Sequence, residues 1–339
     1  MAVSATAVAI AIAPHGWRVS ALVHAANTDA IAPLAREADS NFAFVPSIDH
    51  YDGVYFYAIA QDPLARDVAH RLIDESAYRY GHAGYGWLAG LVSLRDPAFV
   101  PGALLFLGLL GMTVAAIAAS LVARALGWTP WAGVFVAMSP GLVSAVIADT
   151  AEPVGVAVIA LAILFWLRGR IAWAAVFLIA ACLVKEPYVL VPVALAAGPL
   201  LFGVWYAYLR FNFGLWPFRA SVSLWGPPIV GWVDTFRRAL GLAGTDFNGA
   251  QLGAVLVPLL VTLAAALIFG ALRALRLRTP LDVLFLLFFL LTALLNWWTL
   301  LYPKDLVREL IVPLLLLPAV IASLPSTQKT TAVSAPPAA

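Results

Sequence analysis

Residues 98–123 read AFVPGALLFLGLLGMTVAAIAASLVA, without one charged side chain. At a rise of ~1.5 Å per residue, about 20 apolar residues in a helix cross a bilayer core of roughly 30 Å. Two further stretches, 251–271 and 283–303, are equally free of charge and long enough. The whole chain follows their lead: of its 339 residues 63% are apolar and 11% charged, where a soluble domain carries about 25% charged residues. A globule of that composition would present a largely apolar surface to water. Hydrocarbon as solvent removes the conflict, so the expected fold is all-α, a polytopic transmembrane protein with about 9–11 membrane segments. The net charge of +2 argues against a nucleic-acid partner. The single cysteine, Cys182, lies in an apolar run and reads as a small core residue rather than a metal or disulfide site.

Apolar runs fall at 83–94, 98–123, 131–148, 153–167, 171–184, 188–209, 251–271, 281–303 and 308–324, after a short first one at 2–13 that reads as an initial transmembrane helix. Pro140-Gly141 interrupts the run 131–148, because proline removes a backbone donor and glycine loosens the helix; a broken or re-entrant hairpin is expected. Residues 210–250 are mixed and are read as a weak crossing plus an interfacial helix. Residues 24–80 differ from all of this, holding nine of the eighteen acids and three of the five histidines, so they must lie outside hydrocarbon or in a cavity. Within them, 51–60 is expected to be an aromatic interfacial helix and 64–75 a second surface helix. Residues 1–324 thus form one transmembrane domain whose first non-cytoplasmic loop is 24–80, and 325–339 is a tail disordered by composition. Arginines at 168, 170, 273, 276 and 278 mark cytoplasmic connections. If 131–148 is re-entrant and 210–250 holds a crossing, parity puts Asp149, Glu152, Lys185-Glu186 and the turn 304–309 on the opposite side, together with the loop 24–80.

Ionisable residues in or beside membrane helices are costly and mark function by default. Asp49 and Asp52 share one face if their stretch is helical, but Asp52-Gly53 also suits a helix cap. Asp149 and Glu152 show the same spacing, and Glu152-Pro153 equally suits a first helical turn. Lys185-Glu186 reads either as a short loop or as two charges with different partners, and Lys304, Asp305, Arg308 and Glu309 as a solvated turn or a phosphate clamp. Arg79, among tyrosines and glycines, is either an interfacial anchor or an anion ligand.

These residues carry a resemblance. Residues 51–60, YDGVYFYAIA, resemble the W-D-x-x-H-Y-x-x-I-A motif of PIG-V-type mannosyltransferases. With Gln61-Asp62-Pro63 they look closer still to the Y-D-G and A-x-D-P signature of bacterial membrane glycosyltransferases of the GT-C superfamily. Ala77-Tyr78-Arg79-Tyr80 is similar to the Y-R-Y segment that follows there, Ala151-Glu152-Pro153 to T-E-P, and Val184-Lys185-Glu186 to A-K-E. Arg308 with Pro313 is similar to the arginine and proline that open the last helix; the likeness spans roughly 45–320. Gly81-His82 and Gly86 stand where the family carries a polar-basic pair and a later proline.

The resemblance implies a GT-C fold in the bacterial inner membrane, with its active site on the non-cytoplasmic side. It also implies a polyprenyl-phosphate-linked sugar donor and a glycan, lipid or protein acceptor. Inverting transfer needs a carboxylate to take the acceptor hydroxyl proton, and Asp52 occupies the motif position, with Asp49 in reserve. Cations should stabilise the leaving phosphate; the candidates are Lys185, Arg79 and Arg308, with Glu152, Glu186 and His82 in support. No cofactor is specified, and a divalent metal is left open. The rival expectations are a transporter or flippase, which would carry charges at mid-membrane on broken helices within repeated halves, and a non-catalytic relative.

Overall fold

The computed structural model describes residues 2–185, 199–217, 225–243, 249–277 and 279–322. Glu186, Arg278, part of 210–250 and the whole tail from 323 fall outside the described residues. The described residues are all-helical and hold no β-strand.

The N-terminal part runs through α1 (Ala2–Ile12), α2 (Ala32–Ala38), α3 (Gly53–Gln61), α4 (Ser76–Arg79) and α5 (Gly84–Val92). The middle holds α6 (Val100–Ala125), α7 (Ala132–Ala137), α8 (Pro140–Ile147), α9 (Glu152–Leu167) and α10 (Ile171–Val184). The remainder comprises α11 (Pro199–Phe213), α12 (Val230–Ala239), α13 (Gly249–Ala274), α14 (Pro280–Ala293), α15 (Trp297–Leu300), α16 (Pro303–Glu309) and α17 (Ile311–Ala322). Among the described residues, two helices are long and apolar enough to cross a membrane, Val100–Ala125 and Gly253–Ala274. Large apolar side chains face outward on both, among them Phe106, Leu110 and Ile117 on α6 and Val261, Ile268 and Phe269 on α13.

Helix α6 is the spine, packed along α9 and against α3, α5, α7 and α8. A Cβ on Gly111 would stand 2.7 Å from the Val154 nitrogen, so only glycine lets α6 approach α9 so closely. Helices α9 and α10 also bridge two cores: Val154 and Val184 belong to one around α3 and α5, Ile159 and Leu178 to another around α13, α14 and α17.

Several expected elements differ from those observed. Helix α3 is not a surface element, since every residue from Gly53 to Ala60 is buried. Residues 64–75 form turns and one 3-10 segment, Ala69–Leu72, in place of a helix. The buried Asp62 carboxylate accepts from the Arg66 and Asp67 backbone nitrogens, capturing donors that a helix would need. The run 281–303 is not one helix, because α14 stops at Ala293 and Asn296 caps α15. The carbonyls of Thr292, Ala293 and Leu294 are taken by the Trp232 indole, Ile229 and Gly226 respectively, which stops the helix from continuing. The run 131–148 is broken as expected, at Met138-Ser139, with Pro140 in the first turn of α8.

Candidate functional site

Four sequence candidates converge because each sits at a helix boundary. Asp52 stands at the N-cap position of α3, Glu152 begins α9, Lys185 follows α10 and Arg308 lies in the last turn of α16. Two glycines set their approach. A Cβ on Gly53 would meet the Val23 carbonyl oxygen at 2.7 Å and that of Ala148 at 2.8 Å, which wedges the start of α3 against the end of α8. A Cβ on Gly141 would meet the Val307 oxygen at 2.7 Å, so α16 lies directly on α8 and carries Arg308 towards Asp52.

Asp52 does not cap its helix, because its side chain makes no cap hydrogen bond. Arg308 Nη1 donates to its Oδ2 at 2.6 Å across 256 residues of sequence, and Arg79 Nη1 to its Oδ1 at 3.3 Å. Burial alone would raise the Asp52 carboxyl, but the two guanidiniums outweigh it and hold the group well below the usual carboxylate range. Arg79 in turn stacks over the Tyr55 ring at 3.6 Å, and His50 joins the Tyr55 hydroxyl at 3.0 Å and Asp29 at 2.9 Å.

Beneath this pair lies a second set. Lys185 Nζ donates to Glu152 Oε1 at 2.6 Å and to Glu309 Oε1 at 3.3 Å. Arg308 completes the set, with Nε 3.4 Å from Glu152 Oε1 and Nη2 3.3 Å from Glu309 Oε1. The Glu152 side chain is only 4% exposed, so these cations compensate a charge held largely out of water.

Of these groups, His50, Asp52, Arg79, Glu152, Lys185, Arg308 and Glu309 line one cavity of about 580 Å³, within the range of small-molecule sites. Asp52, Arg79, Glu152, Lys185 and Arg308 form a charged wall, while Phe56, Tyr78, His82, Tyr206, Trp298 and Tyr302 form an aromatic one. His82 packs edge-on to Phe56 and Tyr78.

Asp49 is not brought to the site. It ends a 3-10 turn, Ser47–Asp49, is exposed and does not line the cavity, so it shares no helix face with Asp52. Asp149 is also absent from the lining. It is 1% exposed, adopts a left-handed φ of 47°, and neither carboxylate oxygen has a hydrogen-bond partner among the described residues. Burial raises its carboxyl well above the usual value.

Sequence reasoning placed Glu309 in the charged turn 304–309 without a role of its own, whereas it shares Lys185 with Glu152; it gave no role to Tyr51, whose hydroxyl donates to Asp305. The signal for Glu309 was its place beside Arg308 in an otherwise apolar region. Among the described residues, no three or more His, Cys, Asp or Glu side chains are grouped so as to hold a metal ion. No protein-family model, curated protein or solved structure matches the chain.

Proposed function

We propose that this protein is a polytopic integral membrane glycosyltransferase. In this reading it moves a sugar from a polyprenyl-phosphate donor to an acceptor hydroxyl on the non-cytoplasmic side, with inversion. The observation that carries the reading is the cavity itself, where one carboxylate with two guanidiniums stands beside a buried lysine–glutamate set and aromatic side chains share the lining. Membrane insertion is supported by the two long apolar helices with outward-facing Phe and Ile side chains, and by the low charge content of 11%.

The chemistry follows from the arrangement. Asp52 accepts the acceptor hydroxyl proton as its oxygen attacks the anomeric carbon, and the bond to the phosphate oxygen breaks. The polyprenyl phosphate leaves as an anion stabilised by nearby cations, while the aromatic wall suits the faces of a sugar ring. Asp52 at rest is a weak base, since its two arginines favour the ionised form.

Purified Asp52→Asn protein in lipid is expected to fold and to lose at least 10²-fold in transfer, the lower scale of general-base catalysis. Transfer at the wild-type rate would remove Asp52 from the role. A transporter finds support in the break between α7 and α8. Against it, the cavity charges sit at helix ends. Uptake of a labelled lipid-linked sugar into proteoliposomes, without covalent transfer, would favour the transporter.

A further inference from the structure

Four cations line the cavity, and three of them are already committed. Arg79 faces Asp52 and Asp74, Lys185 faces Glu152 and Glu309, and Arg308 faces Asp52, Glu152 and Glu309. Lys304 is different. Among the described residues no carboxylate lies within ion-pair distance of it, and its Nζ rests 4.0 Å above the Tyr51 ring. That ring is held in place, because the Tyr51 hydroxyl donates to Asp305. Lys304 is exposed, whereas the side chains of Lys185 and Arg308 are 15% and 11% exposed.

We propose that Lys304, held over Tyr51 at the cavity mouth, is the cation that captures the phosphate group of an incoming phosphate ester. The physical case is a comparison of what each cation would give up. An anion that drew Lys185 or Arg308 away would leave Glu152, only 4% exposed, with one cation in place of two, a costly change for a buried ionic set. Lys304 gives up a contact with an aromatic face, some hydration and part of its through-space attraction to Asp305, but no ion pair among the described residues. A lysine ammonium is a compact charge on a flexible stem, able to swing from the ring to a ligand. The paired cations then keep the carboxylates ordered while the phosphate is captured at the mouth. The glycosyltransferase reading supplies only the carrier of that phosphate, a polyprenyl chain; the capture site itself rests on the charge arrangement.

The test measures binding to the full-length chain in lipid nanodiscs, using farnesyl phosphate, inorganic phosphate and farnesol as probes. Lys304→Gln is expected to melt at the wild-type temperature, since the residue is exposed. It should bind farnesyl phosphate and inorganic phosphate at least tenfold more weakly and leave farnesol binding unchanged, whereas Lys304→Arg should retain most of the affinity. A loss for farnesyl phosphate alone would identify the lipid ester rather than free phosphate as the ligand. Wild-type affinity in Lys304→Gln, or no binding of either phosphate by the wild type, overturns the proposal. Lys304-dependent capture without sugar transfer from any polyprenyl-phosphate donor would sink the glycosyltransferase reading and leave this one standing. Transfer with an unchanged KM in Lys304→Gln would do the reverse.

Discussion

The Asp52 side chain is 27% exposed and Asp149 only 1%, and their surroundings drive the two carboxyls in opposite directions. Asp52 is held down by Arg308 and Arg79. Its pairing therefore contributes stability at pH above the unfolded value of about 3.9, and loses it as pH falls through the lower folded value. Asp149 has no hydrogen-bond partner among the described residues, and burial raises it. The folded state then keeps a proton that the unfolded chain releases, so stability falls as pH rises from about 3.9. Asp149→Asn is expected to melt higher than wild type at pH 7, because it removes that proton linkage. The margin should shrink towards zero below about pH 4; a pH-independent margin in thermal melts would contradict it. Lys185→Met tests the neighbouring set. It leaves Glu152 and Glu309 short of a cation and should destabilise the fold by ~3–5 kcal/mol, with Lys185→Met/Glu152→Gln recovering much of the loss.

At the scale of elements, close approach rather than propensity decides where helices sit. Gly53 brings the start of α3 within contact of the Val23 and Ala148 carbonyls, and Gly111 brings α6 onto α9. Backbone atoms cannot rotate aside, so Gly111→Ala should cost about 1–3 kcal/mol by overpacking, read as a lowered melting temperature in detergent. Gly53→Ala should also reduce transfer, because it displaces the helix that carries Asp52 at its N-cap. A loss of stability with transfer per folded molecule unchanged would separate α3 from the positioning of Asp52. The same scale explains why 64–75 is not helical. Asp62 is a side-chain acceptor for successive backbone donors, a competition visible only once the chain has folded back on it. The end of α14 has a similar cause, since its last carbonyls are claimed by residues 226–232.

For the whole molecule, the proposed membrane setting makes a direct prediction. The expressed chain should sediment with membranes, resist extraction by alkaline carbonate and enter solution only with detergent; release by carbonate would contradict integral insertion. Much of the architecture was legible in residues 98–123, 153–167 and 171–184, where apolar runs became α6, α9 and α10 within about two residues, the usual boundary scatter. The length of the apolar runs and the scarcity of charge act through local backbone and solvent preferences, and those are written along the chain. The candidates Asp52, Arg79, Lys185 and Arg308 were legible too, as rare charges at the edges of apolar runs. Tertiary structure alone decided their partners. Arg308 reaches Asp52 across 256 residues, Glu309 shares a lysine with Glu152, Asp49 is left outside and Lys304 is left without an ion pair among the described residues. Ion pairing depends on distances of a few ångströms, and those are set by how closely α3, α8 and α16 pack, which no single segment of the chain contains.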